Sequence, residues 1–243
     1  MPRMTDAIIL CGGAGSRLKQ VTGAAPKSMA LIAHRPFLEL LLKQLRRHGF
    51  RRVILAVGYQ KEVIRNYFGD RFGDISLVYS EEEVPLGTGG ALSNASSALE
   101  THDTLIMNGD SYTNADFRMF AAEHRNSKAD VSMMVVPFDG RQDGGLVSVD
   151  AKGNVAQFTE KGTAPGAGYI NAGVYVVKGE LLKAIPGAEA ISLEKQLLPQ
   201  WLSSGKAIRT FVFRGECMDI GTPERYAEAQ RLLAEAEREG AVP

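Results

Sequence analysis

An apolar run that stops in glycine constrains this chain more than any other feature. Ala7-Ile8-Ile9-Leu10 leaves no place for charge, the pattern of a short strand buried in a parallel sheet. Cys11-Gly12-Gly13-Ala14-Gly15-Ser16-Arg17-Leu18 follows at once, with three glycines within four positions, and Pro26-Lys27 closes the same loop. Glycine lets the backbone turn with positive φ, and without a Cβ its N–H can approach an anion closely. Arg17 and Lys27 place two cations on that loop. Strand, glycine turn, Arg and Lys describe a cradle for a triphosphate, with Leu10, Gly12, Gly13, Ala14, Gly15 and Ser16 as its nucleotide-binding residues.

Two better-known phosphate loops do not fit. A P-loop needs Gly, four residues and then Gly-Lys-Ser/Thr, and no such run follows the first strand. The dinucleotide fingerprint needs glycine at its first, third and sixth places; Gly13 and Gly15 fit, but position 18 is Leu. A nicotinamide dehydrogenase is disfavoured on that ground. What stands is Gly-Gly-x-Gly-Ser-Arg-Leu with Pro-Lys a few residues later, and this string resembles the signature of the sugar-1-phosphate nucleotidyltransferases, or NDP-sugar pyrophosphorylases. The bland alternative, a glycine-rich turn with two solvated cations, explains less of the string.

The chain's 243 residues suit one large α/β domain or a core with a modest inserted subdomain. Its 28 Lys and Arg balance 28 Asp and Glu, so no basic surface advertises nucleic acid. Two cysteines, Cys11 and Cys217, suggest a reducing compartment rather than a disulfide framework. The apolar strand is too short to span a membrane, and no basic start leads into a long apolar stretch. A cytoplasmic protein with no membrane partner is the expectation. No hexapeptide repeat follows residue 225, where bifunctional relatives carry a β-helix, so a single activity is expected.

Elements alternate along the first half. A helix is expected over 36–48, a strand over 53–57, a helix over 62–68, a strand over 75–79 and a helix running through Leu99. Such alternation implies parallel strands joined by right-handed crossovers. The predicted fold is α/β: a Rossmann-like, doubly wound, mostly parallel sheet with a small additional β region. One domain would cover 1–243, its nucleotide half about 1–130 and its acceptor half about 131–243. Strands are expected at 131–137, 145–149, 155–159 and 169–177, a mostly helical stretch at 181–204 interrupted at Pro186-Gly187, a strand at 206–213 and a final helix from Pro223. The arginines 46, 47, 51 and 52 read as solvated cations near a helix C-terminus. The four histidines read as lacking matching Ser or Asp partners, so no Ser-His-Asp chemistry is expected.

Further motifs sit where an open α/β sheet binds ligands, beyond the carboxyl ends of its strands. Pro85-Leu86-Gly87-Thr88-Gly89-Gly90-Ala91 opens a helix with small residues. Taken alone it is equally a turning loop; the resemblance makes Gly87, Thr88 and Gly89 contacts to the nucleotide. Thr104 to Ser111 reads as a strand ending in Asn108-Gly109-Asp110, and Asp110 alone divides evenly between helix capping and Mg²⁺ binding. Asp219 precedes a Thr222-Pro223 helix start, and neither strand nor helix explains its place. The resemblance assigns Asp110 and Asp219 to Mg²⁺, which requires the fold to bring them together. On residue physics alone Glu160 and Lys161 are an exposed ion pair and Asn171 with Gly173 a strand bulge. The family's Glu-Lys and Asn-x-Gly motifs match those positions and imply, with Asn108 and Gly109, a site for the acceptor sugar and its phosphate.

The implied reaction is nucleotidyl transfer from a nucleoside triphosphate to a sugar 1-phosphate, releasing pyrophosphate. The nucleophile is already an anion, so the task is to hold two polyanions in line and spread charge. Arg17 and Lys27 are the catalytic cations, with Mg²⁺ the cofactor. The resemblance covers Ala7 to about Gln230 and is closest to the D-glycero-α-D-manno-heptose 1-phosphate guanylyltransferases of surface polysaccharide synthesis. Arg35-Pro36-Phe37-Leu38-Glu39, Val57-Gly58-Tyr59 and Asp219-Ile220-Gly221-Thr222-Pro223 carry it. Arg141-Gln142-Asp143-Gly144-Gly145 departs where relatives have an aromatic before the glycine. GTP and that heptose phosphate are therefore the expected substrates, and a homodimer is admitted. The alternatives are a uridylyl- or thymidylyltransferase acting on a hexose or amino-sugar 1-phosphate, and a non-catalytic nucleotide-sugar-binding regulator.

Overall fold

The structure is a computed structural model and describes residues 6–13, 15–18, 23, 25–140, 144–159, 168–187 and 189–238. Glu160, Lys161, Ala14 and the departure at 141–143 lie outside the described residues. In the first half, β1 (Asp6–Leu10) leads through two 3₁₀ turns to β2 (Leu31–Ile32), β3 (Arg35–Pro36) and α1 (Phe37–Arg47). Next come β4 (Arg52–Val57), α2 (Lys61–Phe68), β5 (Arg71–Phe72), β6 (Ile75–Glu81), α3 (Gly87–Ser96), β7 (Asp103–Asn108), β8 (Ser111–Thr113) and α4 (Phe117–Ser127). The second half runs β9 (Val131–Pro137), β10 (Leu146–Val149), β11 (Val155–Thr159), β12 (Tyr169–Lys178) and α5 (Gly179–Lys183). A π-helical turn (Leu193–Leu197), α6 (Leu198–Ser203), β13 (Ile208–Val212), β14 (Cys217–Asp219) and α7 (Pro223–Arg238) complete it.

The main sheet has the order β11-β10-β12-β7-β1-β4-β6-β5, with β9 on β12 and β13 on β9. Strands β7, β1, β4 and β6 are parallel, so the expected doubly wound sheet is present. Side chains alternate across a strand, and both faces of β1 are covered. Ile9, Leu55 and Met107 pack with Leu38, Leu41, Phe117 and Phe120 of α1 and α4 on one face. Ile8, Ile54 and Ile106 pack with Leu92, Ala95 and Trp201 on the other. Burial on two faces is why the run at 7–10 tolerates no charge, and each fully buried Ile contributes about 1.5–3 kcal/mol.

β12 joins the two halves. It pairs with β7 over Val174–Lys178, with β10 through Tyr169 and Ile170, and with β9 along both its ends. Its register on β9 slips between Asn171 and Tyr175. Gly173 occupies that bulge with φ +72°, and a Cβ there would lie 2.6 Å from Asn108 Nδ2. The glycine is thus required by conformation and by closeness to β7. The β10–β11 hairpin turns between Val149 and Val155, with Asp150 Oδ1 accepting from the N–H groups of Lys152 (2.8 Å) and Asn154 (2.9 Å).

Three expectations shift. Residues 184–187 and 189–192 are not helical: the latter dock on the first turn of α3, where Gly89 and Gly90 N–H reach Ile191 O at 2.8 and 3.2 Å. The helix expected to run through Leu99 stops at Ser96 in a turn. The histidine reading needs correction, because His124 has partners: Nδ1 lies 2.8 Å from Ser132 Oγ and Nε2 3.7 Å from Asp103 Oδ1. That correction does not introduce hydrolytic chemistry, since His124 and Ser132 are 2% and 4% exposed and line neither cavity described below. Among the described residues no helix is long and apolar enough to cross a membrane.

Candidate active site

The loop after β1 is shaped by packing as well as by glycine freedom. Gly15 has φ +57°, and a Cβ on it would meet Lys27 Cβ at 2.8 Å. A 3₁₀ turn, Ser16–Leu18, follows, with Leu18 N–H on Gly15 O at 2.8 Å. Leu18 is fully buried and anchors the turn, leaving Arg17 exposed beside it. Pro26 precedes a second 3₁₀ turn, Lys27–Met29, which presents Lys27 toward the end of β7. There Lys27 Nζ forms an ion pair with the Asp110 carboxylate.

Asp110 is set by the parallel pairing of β1 and β7. Leu10 sits opposite Asn108, and Gly109 N–H donates to Leu10 O at 3.0 Å. A Cβ on Gly109 would lie 2.6 Å from that same oxygen, so this crossing requires glycine. Asp219 arrives from the far end of the chain. Strands β14 and β8 pair antiparallel with Asp219 opposite Ser111, and Ile220 N–H donates to Asp110 O at 2.9 Å. The convergence expected of the two carboxylates is therefore made by two three-residue strands. Asp219 accepts from Gly221 N–H at 2.7 Å and from Arg225 Nη1 at 2.8 Å. Thr222 caps α7 as expected, accepting from Arg225 N–H at 3.3 Å.

Two cavities open beyond the carboxyl ends of the strands. The larger, about 620 Å³, is lined by Leu10, Gly12, Gly13, Gly87 and Thr88, with Glu82 in its wall. Its size suits a ligand of nucleotide dimensions. The smaller, about 180 Å³, is lined by Arg17, Asn171, Gly173, Asp219, Glu194 and Arg225. Lys27, Asn108 and Asp110 line both. Asn108 Oδ1 is buried at this seam with no partner among the described residues, an acceptor suited to a ligand hydroxyl. Gly109 lines the larger cavity, not the smaller one. Gly89 lines neither; it packs against Ile191 and Leu197, and a Cβ there would meet Leu197 Cδ1 at 2.7 Å. Gly15 shapes the loop from behind through Lys27.

Mg²⁺ was expected on Asp110 and Asp219. Two hard oxygen donors beside a phosphate-sized cavity fit an ion that takes one or two protein carboxylates and completes its shell with substrate phosphates and water. No group of three or more His, Cys, Asp or Glu side chains arranged for a metal occurs among the described residues.

Sequence reasoning missed three residues. Glu82 follows β6 between two other glutamates. Glu81 pairs with Lys61 (3.0 Å) and Arg65 (2.6 Å), and Glu83 with Lys61 (3.0 Å). Glu82 instead turns into the larger cavity, where its Oε2 accepts Leu86 N–H at 3.0 Å and burial pushes its carboxyl above the ordinary value. The signal was strand alternation continued past β6. Arg225 and Glu194 had no local signal. Cys11, at the base of the larger cavity, is held neutral by burial, its thiol pushed up to about 12.

The nucleotidyl transferase family profile matches residues 6–236. D-glycero-alpha-D-manno-heptose 1-phosphate guanylyltransferase of Aneurinibacillus thermoaerophilus is 36% identical over 229 residues, covering 94% of this chain and 98% of its own. Mannose-1-phosphate guanylyltransferase of Mycobacterium tuberculosis is 35% identical over 230 residues; this chain spans 64% of its length. Among solved structures, HddC from Yersinia pseudotuberculosis matches with a TM-score of 0.83 at 32% identity, covering 95% of this chain and 100% of that one. Its complex with GMP-PN matches at 0.82. By a profile that spans nearly the whole described chain, and with the glycine loop, the two cations and the two carboxylates gathered around its cavities, this protein belongs to the nucleotidyl transferase family.

Proposed function

We propose that the protein transfers a guanylyl group from GTP to a sugar 1-phosphate, with D-glycero-α-D-manno-heptose 1-phosphate as acceptor, in the presence of Mg²⁺. The observation that carries this reading is the seam: Lys27, Asn108 and Asp110 line both cavities, so a triphosphate in one and a sugar phosphate in the other would meet at these groups. An oxygen of the acceptor phosphate attacks the α-phosphorus, forming a new P–O bond. The bond from that phosphorus to the bridging oxygen breaks, and pyrophosphate leaves with the electron pair. Lys27 exchanges its Asp110 partner for the phosphoryl oxygens, where charge builds. Arg17 and the Gly12 and Gly13 N–H groups hold the distal phosphates. Asp110 and Asp219 would hold Mg²⁺, whose chemistry is to neutralise and orient the phosphate oxygens.

Two observations favour guanine and heptose. Glu82 offers a carboxylate in the larger cavity; guanine presents adjacent N–H donors at N1 and N2, whereas uracil and thymine place carbonyls on both sides of a single N–H. The heptose-phosphate relative matches this chain nearly end to end, while the mannose-phosphate relative is longer. The test is pyrophosphate release from four nucleoside triphosphates crossed with heptose, mannose and glucose 1-phosphates, with and without Mg²⁺. Release with GTP and the heptose phosphate, abolished by EDTA, is expected. Release with UTP or dTTP and a hexose phosphate overturns the substrates, and release from no pair overturns the activity.

A further inference from the structure

The smaller cavity receives a carboxylate that the chemistry above leaves unused. Glu194 is only 8% exposed, and charged side chains are seldom so buried without strong partners. It sits on the π-helical turn Leu193–Leu197, a rare geometry enriched at functional sites. One of its oxygens is well held: the Thr88 hydroxyl donates to Oε2 at 2.7 Å. Thr88 Oγ1 in turn accepts Leu193 N–H at 2.8 Å, which fixes the hydroxyl's direction. The other oxygen is not. Among the described residues Oε1 has the Tyr175 hydroxyl at 3.4 Å, beyond the range of a normal O–H···O bond. Tyr175 OH also receives Asn171 Nδ2 at 2.5 Å, so Glu194 stands next to a residue already expected to meet the acceptor sugar.

A carboxylate accepts at about four positions, and a buried one lacking strong donors is costly. The cavity supplies cations for a phosphate in Arg17, Lys27 and Arg225. An anion is the wrong partner for phosphate and the right one for a hydroxyl. We propose that Glu194 is a specificity-determining residue that accepts a hydrogen bond from one hydroxyl of the acceptor sugar. Through Thr88, which lines the larger cavity, it also ties the acceptor site to the nucleotide loop. This rests on the reading of the smaller cavity as the acceptor site.

The test compares the full-length protein with its Glu194→Gln variant at saturating GTP. The acceptors are D-glycero-α-D-manno-heptose 1-phosphate and its monodeoxy analogues, or the mannose 1-phosphate series if the wild type uses only that. A lost hydrogen bond to a charged group corresponds to about 10- to 100-fold. The acceptor KM is expected to rise by that factor, with the GTP KM within about threefold. One deoxy analogue should lose the same factor on the wild type and nothing further on the variant. An unchanged acceptor KM, or analogues that all lose equally on both proteins, overturns the proposal. If thermal melting shows that Glu194→Gln does not fold, Glu194→Asp is held to the same criterion. Absence of turnover by the wild type on every sugar 1-phosphate overturns the function proposed above, and this inference with it. A working wild type with an indifferent variant overturns the inference alone.

Discussion

Replacing Glu82 by Gln tests base choice with the smallest change of shape. If the carboxylate accepts from guanine N1–H and N2–H, it makes two charge-assisted bonds worth about 1.5–3 kcal/mol each. Glutamine keeps one neutral acceptor and turns an amide N–H toward a guanine donor. Because Glu82 is only half-buried and shares Oε2 with Leu86 N–H, the lower part of that range applies. A net loss of about 2–3 kcal/mol corresponds to roughly 30- to 150-fold in kcat/KM for GTP. For UTP the same amide supplies a donor to a carbonyl and an acceptor to N3–H, which should raise kcat/KM about tenfold. The GTP/UTP ratio therefore falls by roughly 300- to 1500-fold.

The pH dependence gives an independent reading of the same group. Burial holds the Glu82 carboxyl above its ordinary 4.5, so it protonates earlier than a surface glutamate as pH falls. Once protonated it presents one acceptor and one donor, as glutamine does. The wild-type GTP/UTP ratio should fall with pH through that raised value, while the ratio for Glu82→Gln stays flat. Taking a ratio cancels the protonation of the sugar phosphate and of groups common to both substrates. Steady-state pyrophosphate assays over a pH series that runs from 8 down to the ordinary 4.5 read the ratio. A ratio unchanged within about threefold in the variant, or equally pH-dependent in both proteins, refutes the argument.

Other perturbations follow from the same geometry. Lys27→Met should lower kcat by roughly 10³-fold or more while GTP still binds, read by single-turnover kinetics beside a nucleotide titration. Asp219→Asn should shift half-maximal activity to higher Mg²⁺ and leave the melting temperature near that of the wild type; an unchanged Mg²⁺ curve would remove Asp219 from the metal. Gly173→Ala must hold an L residue at φ +72° and displace Asn108, costing about 1–2 kcal/mol by denaturant unfolding and lowering turnover. Asp103, with His124 Nε2 at 3.7 Å and His102 Nδ1 at hydrogen-bond distance (2.9 Å), is held down at about 2 from 3.8. This depressed carboxyl stabilises the fold by about 2 kcal/mol above pH 3.8, and that contribution is lost as pH falls toward 2. Asp103→Asn should therefore lower stability by that amount at pH 7, by about half of it near pH 3 and by much less near pH 2, read by denaturant unfolding.

What could be read from the chain alone divides along a physical line. The β1 strand, the glycine loop and Lys27 were legible because an apolar run, a turn and two cations are local in sequence. Asp110 was half legible: once β7 lies parallel to β1 with Asn108 opposite Leu10, the residue after Gly109 must emerge beside the glycine loop. Asp219 was not, because its position depends on β14 returning to β8, and three-residue strands carry no periodicity. Glu82 was hidden among like residues, and only strand alternation separates the inward glutamate from Glu81 and Glu83, which find Lys61 and Arg65. Glu194 lay in a stretch expected to be helical, and its burial comes from the docking of residues 189–194 on the first turn of α3. The larger cavity is thus built at the ends of the parallel strands β1, β4, β6 and β7, whereas the smaller one also draws on β12, β14, the π-turn and α7. A substitution that shifts the β12 bulge or the π-turn should consequently disturb acceptor choice before it disturbs the triphosphate cradle, because those two segments line the smaller cavity and not the larger one.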